Sequence, residues 1–383
     1  MSENTKIEWC DHTFNPWIGC TQISPACDNC YAKAWDRRFA VSGHAMHWGA
    51  GVARKRTSIA NWKLPLKWNR AAEANGIRPK VFCASLADVF DNEVDPQWRV
   101  DLLQLIADTP HIDWLLLTKR IGNARQMLND AMGTLSHRLT LWDDAPWPNV
   151  WIGATITSQI EADRDIPKLL DVPASKRFLS MEPLLGPVEI GRWIATAKVT
   201  CKKCSTSFWL HEAEPCEHRN QGSWTLACPN CGDCKCESGW TPPGERLQYM
   251  EPPGNWIDRK VGRFDKVHPT IPIKSAIDWV IVGGESGHNA RPMHPDWAYS
   301  LRDQCNEAGV PFLFKQWGDW HPAMGDTSQD RLAICKHTGG SFHISAGEYP
   351  RMFDMLDRCQ MHRVGKKAAG RMLAGREWNG VPA

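Results

Sequence analysis

The sequence lacks any apolar run of the ~18 residues that a membrane-spanning helix requires. Its first residues, Met-Ser-Glu-Asn-Thr-Lys, also lack the apolar segment of a secretory signal peptide. An excess of charge is missing too, because 45 lysines and arginines stand against 43 aspartates and glutamates, for a net charge of +2. We therefore expect a soluble, cytoplasmic protein without membrane partners, and not one coated with positive charge for nonspecific nucleic-acid binding.

Two metal-binding patterns of hydrolases are absent as well. Neither His-x-His nor His-Glu-x-x-His occurs, so a metal-dependent hydrolase is the least favoured function. Cysteine, by contrast, is abundant, with 15 residues in a chain of 383. In a long chain without a signal peptide, cysteines of this number are typical of metal sites and not of a disulfide framework.

Three of the cysteines lie in one short loop near the N-terminus, and a fourth is missing from it. Cys20, Cys27 and Cys30 fall within eleven residues, beside Gly19 and Pro25. A structural zinc site closes with four protein ligands, whereas three cysteines on a cubane iron–sulfur cluster leave one iron free to bind another ligand. The loop is therefore a candidate for a cluster with one open iron.

A strand–helix alternation begins near residue 80 and predicts the fold class. Short apolar runs that end in polar residues occupy 81–85, 114–118, 150–154, 177–181, 279–283 and 311–315. Amphipathic, helix-like segments follow them at 96–106, 121–128, 159–170 and 295–307, and an earlier helix is expected at 31–39. With the run before Cys20 as a possible first strand, about seven strands joined by helices indicate an α/β fold with a parallel sheet or a partial (β/α) TIM-like barrel.

The polar residues that end these strands are candidate site residues. In a parallel barrel the carboxyl ends of the strands share one face, which is where barrel active sites lie. The set comprises Ser85, Asp88, Thr118, Lys119, Arg120, Thr155, Ser180, Glu182, Glu285, Ser286, Lys315 and Gln316. Lys315 stands out among them, because a lysine that closes an apolar strand is costly to bury unless it is paired.

A cysteine-rich insertion interrupts the alternation. Two Cys-x2-Cys pairs, Cys201 with Cys204 and Cys228 with Cys231, are separated by 23 residues and match a zinc ribbon. Four thiolates close the zinc site, so its expected role is structural or substrate-gripping. Further potential ligands follow nearby, and they either replace a pair member, build a second site or stay free: Cys216, His218, Cys234 and Cys236.

These patterns divide the chain into five segments. The first part of the barrel with its cysteine loop is expected at 1–198, the zinc-binding insertion at 199–240, a linker at 241–275 and the last part of the barrel at 276–320. A C-terminal extension at 321–383 includes a basic segment, 363–378, that is predicted to be helical. Its cations Lys366, Lys367, Arg371 and Arg376 are interpreted as a solvated helix face, with phosphate contact as the alternative.

Several motifs together resemble a phage protein family, the gene-product thirty-seven and sixty-eight group, whose hallmark is a three-cysteine motif near the N-terminus. The matching segments are 15–20, 27–32, 117–120, 149–153, 180–187, 283–287, 315–318 and 365–370. The family is similar to an outlying branch of the radical S-adenosylmethionine enzymes, which place three cysteines after the first strand of a partial barrel. Their usual spacing is Cys-x3-Cys-x2-Cys, whereas this chain has six residues between Cys20 and Cys27.

The resemblance implies cofactors and roles. Cys20, Cys27 and Cys30 would ligate a [4Fe-4S] cluster, and S-adenosylmethionine would chelate the fourth iron and yield a 5′-deoxyadenosyl radical that abstracts hydrogen from the substrate. The residues expected to bind the adenosylmethionine or the substrate are Tyr31, Ser85, Asp88, Lys119, Arg120, Glu182, Gly283, Gly284, Glu285 and Lys315. Of these, Lys315 and Glu182 are the candidate catalytic residues.

Partners and substrate follow from the same resemblance. It implies a phage or prophage gene, an electron donor such as a flavodoxin or a ferredoxin, and a role in modifying a DNA base or a nucleotide. The rival hypothesis is a zinc-only nucleic-acid-binding or scaffold protein, whose cysteine loop would need a fourth ligand. Three residues are candidates for it: Cys10, His12 and Cys83.

Overall fold

The computed structural model describes residues 3–137, 139–194, 277–322, 331–344 and 357–382, together with the backbone of four short strands between 198 and 227. Two compact units divide the chain. The first comprises 1–189, 277–302 and 311–383, and the second comprises 190–276 and 303–310. Within the described residues, no helix has both the length and the apolar character needed to cross a bilayer.

A seven-stranded parallel sheet forms the first unit's core. Its strands are β1 His12–Thr13, β2 Lys80–Cys83, β3 Asp113–Thr118, β4 Val150–Thr155, β5 Lys176–Met181, β6 Trp279–Gly283 and β7 Phe312–Gln316. They pair in chain order from β1 to β7, and every pairing is parallel. The sheet curls into a half-barrel, which confirms the expected partial (β/α) barrel at this level of detail.

Helices connect most of these strands. The α-helices of the described residues are α1 Tyr31–Val41, α2 Ile59–Trp62, α3 Leu64–Asn75, α4 Pro96–Ala107, α5 Ile121–Leu135, α6 Gln159–Asp171, α7 Gly191–Ile194, α8 Pro295–Ala308 and α9 Lys366–Ala369, the last of which follows β7 in the chain. The sequence places α1, α4, α5, α6 and α8 but not α2 and α3, because 42–67 reads as irregular. Ser58 caps α2 by accepting from the Asn61 N–H, and Pro65 lies in the first turn of α3, so both helices begin at local signals.

Aromatic side chains fill the interior of the half-barrel at the start of the strands. Trp9, from the segment that precedes β1, lies 4.6 Å from the ring of Phe82 and 6.3 Å from that of Phe178. Trp151 and Trp279 belong to the same buried cluster. Because side chains alternate along a strand, residues an even number of positions further on lie on the same face of the sheet, nearer to its carboxyl end. The amino end is therefore packed, and the carboxyl end is left for polar groups.

The last residues of the chain cover the free edge of β7. Leu313 forms an antiparallel bridge with Asn379, and the Phe314 N–H donates to the Trp378 carbonyl at 2.9 Å. The Gly380 carbonyl in turn accepts from the indole N–H of Trp279 at 2.7 Å. Covering an edge strand in this way prevents its free N–H and C=O groups from pairing with another chain.

The basic helix predicted for 363–378 was wrong in its extent. Helix α9 covers only Lys366–Ala369, because Gly365 and Gly370 flank it with φ values of +82° and +68°. Beyond it Arg371 donates to the Lys315 carbonyl at 3.1 Å, and the Arg376 guanidinium stacks 3.6 Å from the Trp378 ring. Two of the four cations thus hold the tail in place.

A second, antiparallel sheet lies in the C-terminal extension, where the sequence predicts no sheet. Its strands are β8 Trp320–Pro322, β9 Arg331–Cys335, β10 Ser341–Ile344 and β11 Arg358–Arg363, in the order β8-β11-β9-β10. A smaller antiparallel pair, Trp17–Ile18 with Lys55–Arg56, lies next to the cysteine loop in sequence.

The second unit contains two short hairpins. Lys198–Thr200 pairs with Ser207–Trp209, and Glu214–Pro215 pairs with Leu226–Ala227, both antiparallel. The predicted zinc ligands Cys201, Cys204, Cys228 and Cys231 lie outside the described residues, as do Cys216, His218, Cys234, Cys236 and the linker at 241–275. The zinc site stays a prediction.

Gly153 offers a test of the packed interior. A Cβ there would lie 2.3 Å from the ring of Phe178, whereas a Cβ on Gly122, in α5, would meet only the flexible Lys168 side chain at 3.5 Å. We expect Gly153→Ala to lower the free energy of unfolding by about 1–3 kcal/mol. The control Gly122→Ala should be neutral or stabilising by about 0.4–1 kcal/mol. Urea unfolding measures both, and equal effects would contradict the packing.

Candidate active site

The first anchor of the cysteine loop holds Cys20 near the end of β3. Arg120 donates to the Thr21 carbonyl at 2.9 Å, and the same nitrogen lies 4.0 Å from the Cys20 sulfur. The buried Arg54 donates to the Thr21 hydroxyl at 2.7 Å and to Asp91 at 2.8 Å. Two guanidinium groups therefore fix the residue that follows Cys20.

The charge state of Cys20 depends on opposing influences. Burial of the thiol, with Asp88 also nearby, raises the pKa of Cys20 to about 12, while Arg120 acts in the opposite direction. A thiol in this setting is protonated at neutral pH. A metal that binds here would therefore displace a proton from the sulfur.

The second anchor is an ion pair that we call the Glu285–Arg291 clamp. Glu285 follows β6 and accepts from three donors of Arg291, from Nη2 at 2.7 Å, from the backbone N–H at 2.8 Å and from Nε at 2.9 Å. The same guanidinium donates to the Asp28 carboxylate at 3.0 Å and to the Pro25 carbonyl at 2.9 Å. The turn between the second and third cysteines is thus tied to the end of β6.

Asn29 completes the clamp from within the Cys27–Cys30 turn. Its amide donates to the Glu285 carboxylate at 3.0 Å and to the Asn289 carbonyl at 2.9 Å. Burial alone would raise the pKa of Glu285, but the hydrogen bonds from Arg291 and Asn29 outweigh it and lower the pKa below its usual value. The Glu285 carboxylate is therefore ionised in the clamp.

The third anchor lies at Tyr31, directly after Cys30. The residue is 61% exposed, yet its hydroxyl reaches inward and donates to the Ser85 carbonyl at 2.6 Å. Burial of that hydroxyl raises the pKa of Tyr31, and the neighbouring Cys30 and Glu182 act in the same direction. The Ser85 hydroxyl accepts from Asn15 at 2.9 Å, so this anchor joins both ends of the loop to β2.

The potential metal ligands of the loop do not suit both of the metal centres that the sequence allows. Within the described ranges, no three His, Cys, Asp or Glu side chains converge on a position for a single metal ion. The proposed fourth zinc ligands are committed elsewhere: Cys10 packs in the aromatic cluster, His12 stacks 4.4 Å from Trp68, and Cys83 is fully buried. The thiolates of a cubane bind three different irons and lie further apart than ligands of one ion. Three free thiols on one anchored loop therefore fit a cubane better than a closed zinc site.

Asp88 occupies a structural position. Its carboxylate accepts from the Thr118 hydroxyl at 2.7 Å, from the Lys119 N–H at 3.0 Å and from the Phe90 N–H at 2.9 Å. These bonds join the loop after β2 to the end of β3. Among the described residues the ammonium group of Lys119 has no hydrogen bond or ion pair, so Lys119 and not Asp88 offers a free charge at this strand end.

Glu182 and Lys315 meet at the mouth of the half-barrel. The Lys315 ammonium donates to Glu182 Oε1 at 2.6 Å, and the two side chains are 14% and 18% exposed. Glu182 directly follows β5, and Lys315 is the last but one residue of β7. Gly283 ends β6, the strand that lies between them. A Cβ at Gly283 would lie 3.3 Å from the Glu182 carboxyl carbon, so this glycine gives room to the ion pair.

Gly284 serves the packing of two loops. A Cβ there would lie 1.9 Å from the Trp317 carbonyl, and a Cβ on Gly318, where φ is +84°, would lie 2.0 Å from the Glu285 carbonyl. The loops after β6 and β7 therefore approach each other at two glycines. In the described structure Gly283 and Gly284 contact protein atoms, and their predicted approach to a ligand stays a prediction.

A buried hydroxyl at the same mouth has no partner. Thr155 ends β4 and is 5% exposed, and within the described residues its Oγ1 makes no hydrogen bond. A buried hydroxyl without a partner is costly unless a ligand or water satisfies it. Among the described residues, Thr155, Lys119 and the Glu182–Lys315 pair are thus polar groups near the strand ends that do not hold the cysteine loop.

Three residues that organise the site were missed in the sequence. Arg54 and Arg291 lie in irregular segments, and Asn15 precedes the first cysteine. Asn15 is 1% exposed and also accepts from the Leu86 N–H at 2.6 Å. Arg54 and Arg291 follow no strand of the half-barrel, so the rule that located the other residues does not apply to them. Asn15 does follow a strand, two positions after the end of β1, but the sequence indicates β1 only as a possible strand. The only sequence signal is the charge of Arg291 six residues after Glu285.

A family model described as Protein of unknown function (DUF5131) matches residues 4–382. The chain belongs to the DUF5131 family. No curated protein and no solved structure matches the chain. The family match includes the cysteine loop, the clamp and all seven strands of the half-barrel. Since the family description names no activity, the function has to be argued from the site.

Removing the arginine of the clamp should loosen the cysteine loop. Arg291→Gln loses charge-assisted hydrogen bonds, each worth about 1.5–3 kcal/mol, so local opening should rise roughly tenfold or more. We expect faster alkylation of Cys27 and Cys30 by iodoacetamide, read residue by residue by mass spectrometry.

Two controls make the alkylation result specific. Arg125→Gln removes an exposed arginine that pairs with Asp143 and Asp171, and it should leave both rates unchanged. Cys83 and Cys305 are fully buried and serve as internal references for global unfolding. Unchanged rates at Cys27 and Cys30 in Arg291→Gln would contradict the anchoring role.

The clamp should also impose a pH dependence on stability. The lowered pKa of Glu285 means that its stabilisation is fully present above the unfolded-state value, about 4.3, and is lost as pH falls through the lower folded-state value. The difference in melting temperature between the wild type and Glu285→Gln should therefore be constant from about pH 7 to 5 and shrink toward pH 3. The exposed Glu307→Gln provides the control, and a difference that grows on acidification would contradict the sign.

Proposed function

We propose that this protein is a radical S-adenosylmethionine enzyme in which Cys20, Cys27 and Cys30 hold a [4Fe-4S] cluster. One observation carries the proposal: a loop with three free thiols is tied by three independent anchors to the carboxyl ends of β2, β3 and β6. Active sites of parallel barrels lie at that end of the strands. When bound, the cluster and S-adenosylmethionine would supply a 5′-deoxyadenosyl radical for hydrogen abstraction.

The chain's own residues would bind and orient the adenosylmethionine and the substrate. Lys119 offers a cation and Thr155 a hydroxyl at the ends of β3 and β4, which suits the carboxylate and hydroxyl groups of an adenosylmethionine. Glu182 and Lys315 offer an acceptor and a donor at the ends of β5 and β7, where a substrate can exchange a proton with either. The aromatic cluster around Trp9 closes the opposite end and limits the entry of water.

The second part of the proposal concerns the class of substrate. A nucleic-acid base or a nucleotide is proposed from the resemblance to phage proteins and from the zinc-ribbon spacing of the insertion. The C-terminal cations add little support, because Arg371 and Arg376 are engaged within the tail. The zinc-only alternative is less favoured, since the described residues offer no fourth ligand near the loop.

Anaerobic reconstitution tests the proposal. The wild type should bind about four irons and four sulfides per cluster and, after dithionite reduction with S-adenosylmethionine, release 5′-deoxyadenosine. Cys27→Ala should lose the cluster, and Cys335→Ala, at the half-buried last residue of β9, should retain it. Zinc content should persist in Cys27→Ala. A protein that binds zinc but neither iron nor sulfide at the loop would overturn the proposal.

A further inference from the structure

A cleft lies at the amino end of the half-barrel, opposite to the cysteine loop. Its volume is about 740 Å³, and small-molecule sites usually enclose roughly 300–1,000 Å³. Its lining comes mainly from the starts of β2 to β5 and from the segments that precede them. We define the amino-end cleft by six of these residues: Arg78, Lys80, Asp113, Trp147, Trp151 and Lys176.

Two lysines of the amino-end cleft lie one layer below the aromatic cluster. Lys80 stands two positions before Phe82, and Lys176 stands two positions before Phe178. Because side chains alternate along a strand, each lysine lies on the same face of the sheet as the ring that follows it. The Lys176 ammonium is 4.5 Å from the centroid of the Trp151 ring, as this alternation requires. The aromatic cluster is therefore bordered by cations at its amino end.

The charges of the amino-end cleft are only partly balanced. Arg78 donates to Asp113 Oδ1 from Nη2 at 2.8 Å and from Nε at 3.2 Å, and its Nη1 donates to the Pro110 carbonyl at 3.0 Å. The Asp11 carboxylate accepts from the backbone N–H of Lys80 at 2.7 Å and not from its side chain. Within the described part of the chain, the Lys80 ammonium has no hydrogen bond or ion pair. A cation without a counter-ion thus lines the cleft.

A fixed aromatic ring forms one wall of the cleft. The half-buried Trp147 ring lies 5.7 Å from the ring of Trp142 in an edge-on arrangement. Trp142 is fully buried, and its indole N–H donates to the Pro173 carbonyl at 2.8 Å. The Trp147 indole N–H makes no hydrogen bond to the described residues. The wall is therefore held in place from behind, and it retains an unused donor.

We propose that the amino-end cleft binds a small aromatic carboxylate. The ring of the ligand packs against Trp147 and Pro148, and its carboxylate pairs with the Lys80 ammonium. Lys80 and the segment before β4 lie two strands apart, roughly 10 Å along the sheet, a span that a bicyclic ring with a short acid chain and the lysine side chain can bridge. The site does not depend on the proposed function, because the aromatic cluster lies between it and the cysteine loop.

A carboxylate suits this cleft better than a phosphate does. A phosphate group carries about 1.5–2 negative charges at pH 7, whereas Lys80 supplies a single positive charge and the donors of Arg78 are used by Asp113 and Pro110. Barrel residues at this end often serve stability alone. Here an aromatic wall, an unused indole donor and an unpaired ammonium line the same cleft, and one ligand engages all three.

Calorimetry with matched probes tests the amino-end cleft in the whole protein. Indole-3-acetate carries a ring and a carboxylate, tryptophol carries the same ring without charge, and acetate carries the charge without a ring. The variants are Lys80→Gln, which removes the ammonium, and Trp147→Leu, which removes the aromatic wall. The control Lys67→Gln removes an exposed ammonium that pairs with Glu3 at 3.2 Å.

We expect the wild type and Lys67→Gln to bind indole-3-acetate at least tenfold more tightly than tryptophol or acetate. Lys80→Gln should lose at least tenfold in affinity for indole-3-acetate and keep its affinity for tryptophol, because only the ion pair is removed. Trp147→Leu should weaken the binding of both indole ligands alike.

Three results would overturn the site. They are an affinity of the wild type for indole-3-acetate that is undetectable or equal to that for tryptophol, binding of adenosine monophosphate at least tenfold tighter than of indole-3-acetate, and indole-3-acetate binding that Lys80→Gln leaves unchanged. Thermal unfolding followed by circular dichroism shows whether each variant is folded. Since Lys80 is only half-buried, its variant decides the test even where Trp147→Leu does not fold. None of these measurements requires a cluster, so their failure leaves the proposed function standing.

Discussion

The Glu285–Arg291 clamp is the interaction on which the position of the cysteine loop depends. It joins residues 256 positions apart in the chain, Asn29 and Glu285, and brings the Cys27–Cys30 turn to the end of β6. A buried carboxylate without its arginine would carry a desolvation cost of several kcal/mol. The turn is therefore held by charge and not by packing, which is why one guanidinium with four hydrogen bonds, to Glu285, Asp28 and Pro25, can fix it.

The half-barrel supplies the rigid frame that this clamp needs. Aromatic residues fill its amino end, the C-terminal residues cover the edge of β7, and paired glycines allow the loops after β6 and β7 to touch. Each feature limits the movement of Glu285, which lies between β6 and Arg291. The sheet thus provides the fixed frame of the site, and three anchors at three strands fix the cysteine loop to that frame.

The sequence was a good guide to six of the seven strands, because their short apolar runs recur between helix-like segments and are largely buried in the structure. The first strand, His12–Thr13, is too short to give such a signal. It was a poor guide to 42–67 and to 363–378, where short capping signals and flanking glycines decide the structure and apolar periodicity does not. At the site, the strand-end rule predicts positions but does not indicate which of their side chains are already engaged by protein donors. Asp88 and Glu285 look like ligands in the sequence, yet their oxygens are occupied by protein donors.

These separate roles narrow the range of ligand chemistry that the site can bind. Polar groups at strand ends either hold the loop or face the mouth, and a carboxylate that already accepts three or four hydrogen bonds has little capacity left for a ligand. Glu285 and Ser85 belong to the first group, whereas Asp88 is engaged in joining the loop after β2 to the end of β3. Among the described residues Lys119, Thr155 and the Glu182–Lys315 pair form the second, with one free cation, one unsatisfied hydroxyl and one exchangeable ion pair. A ligand that offers both an anionic group and a hydroxyl or amide matches this set better than a purely apolar one, because it satisfies groups that are otherwise costly to bury.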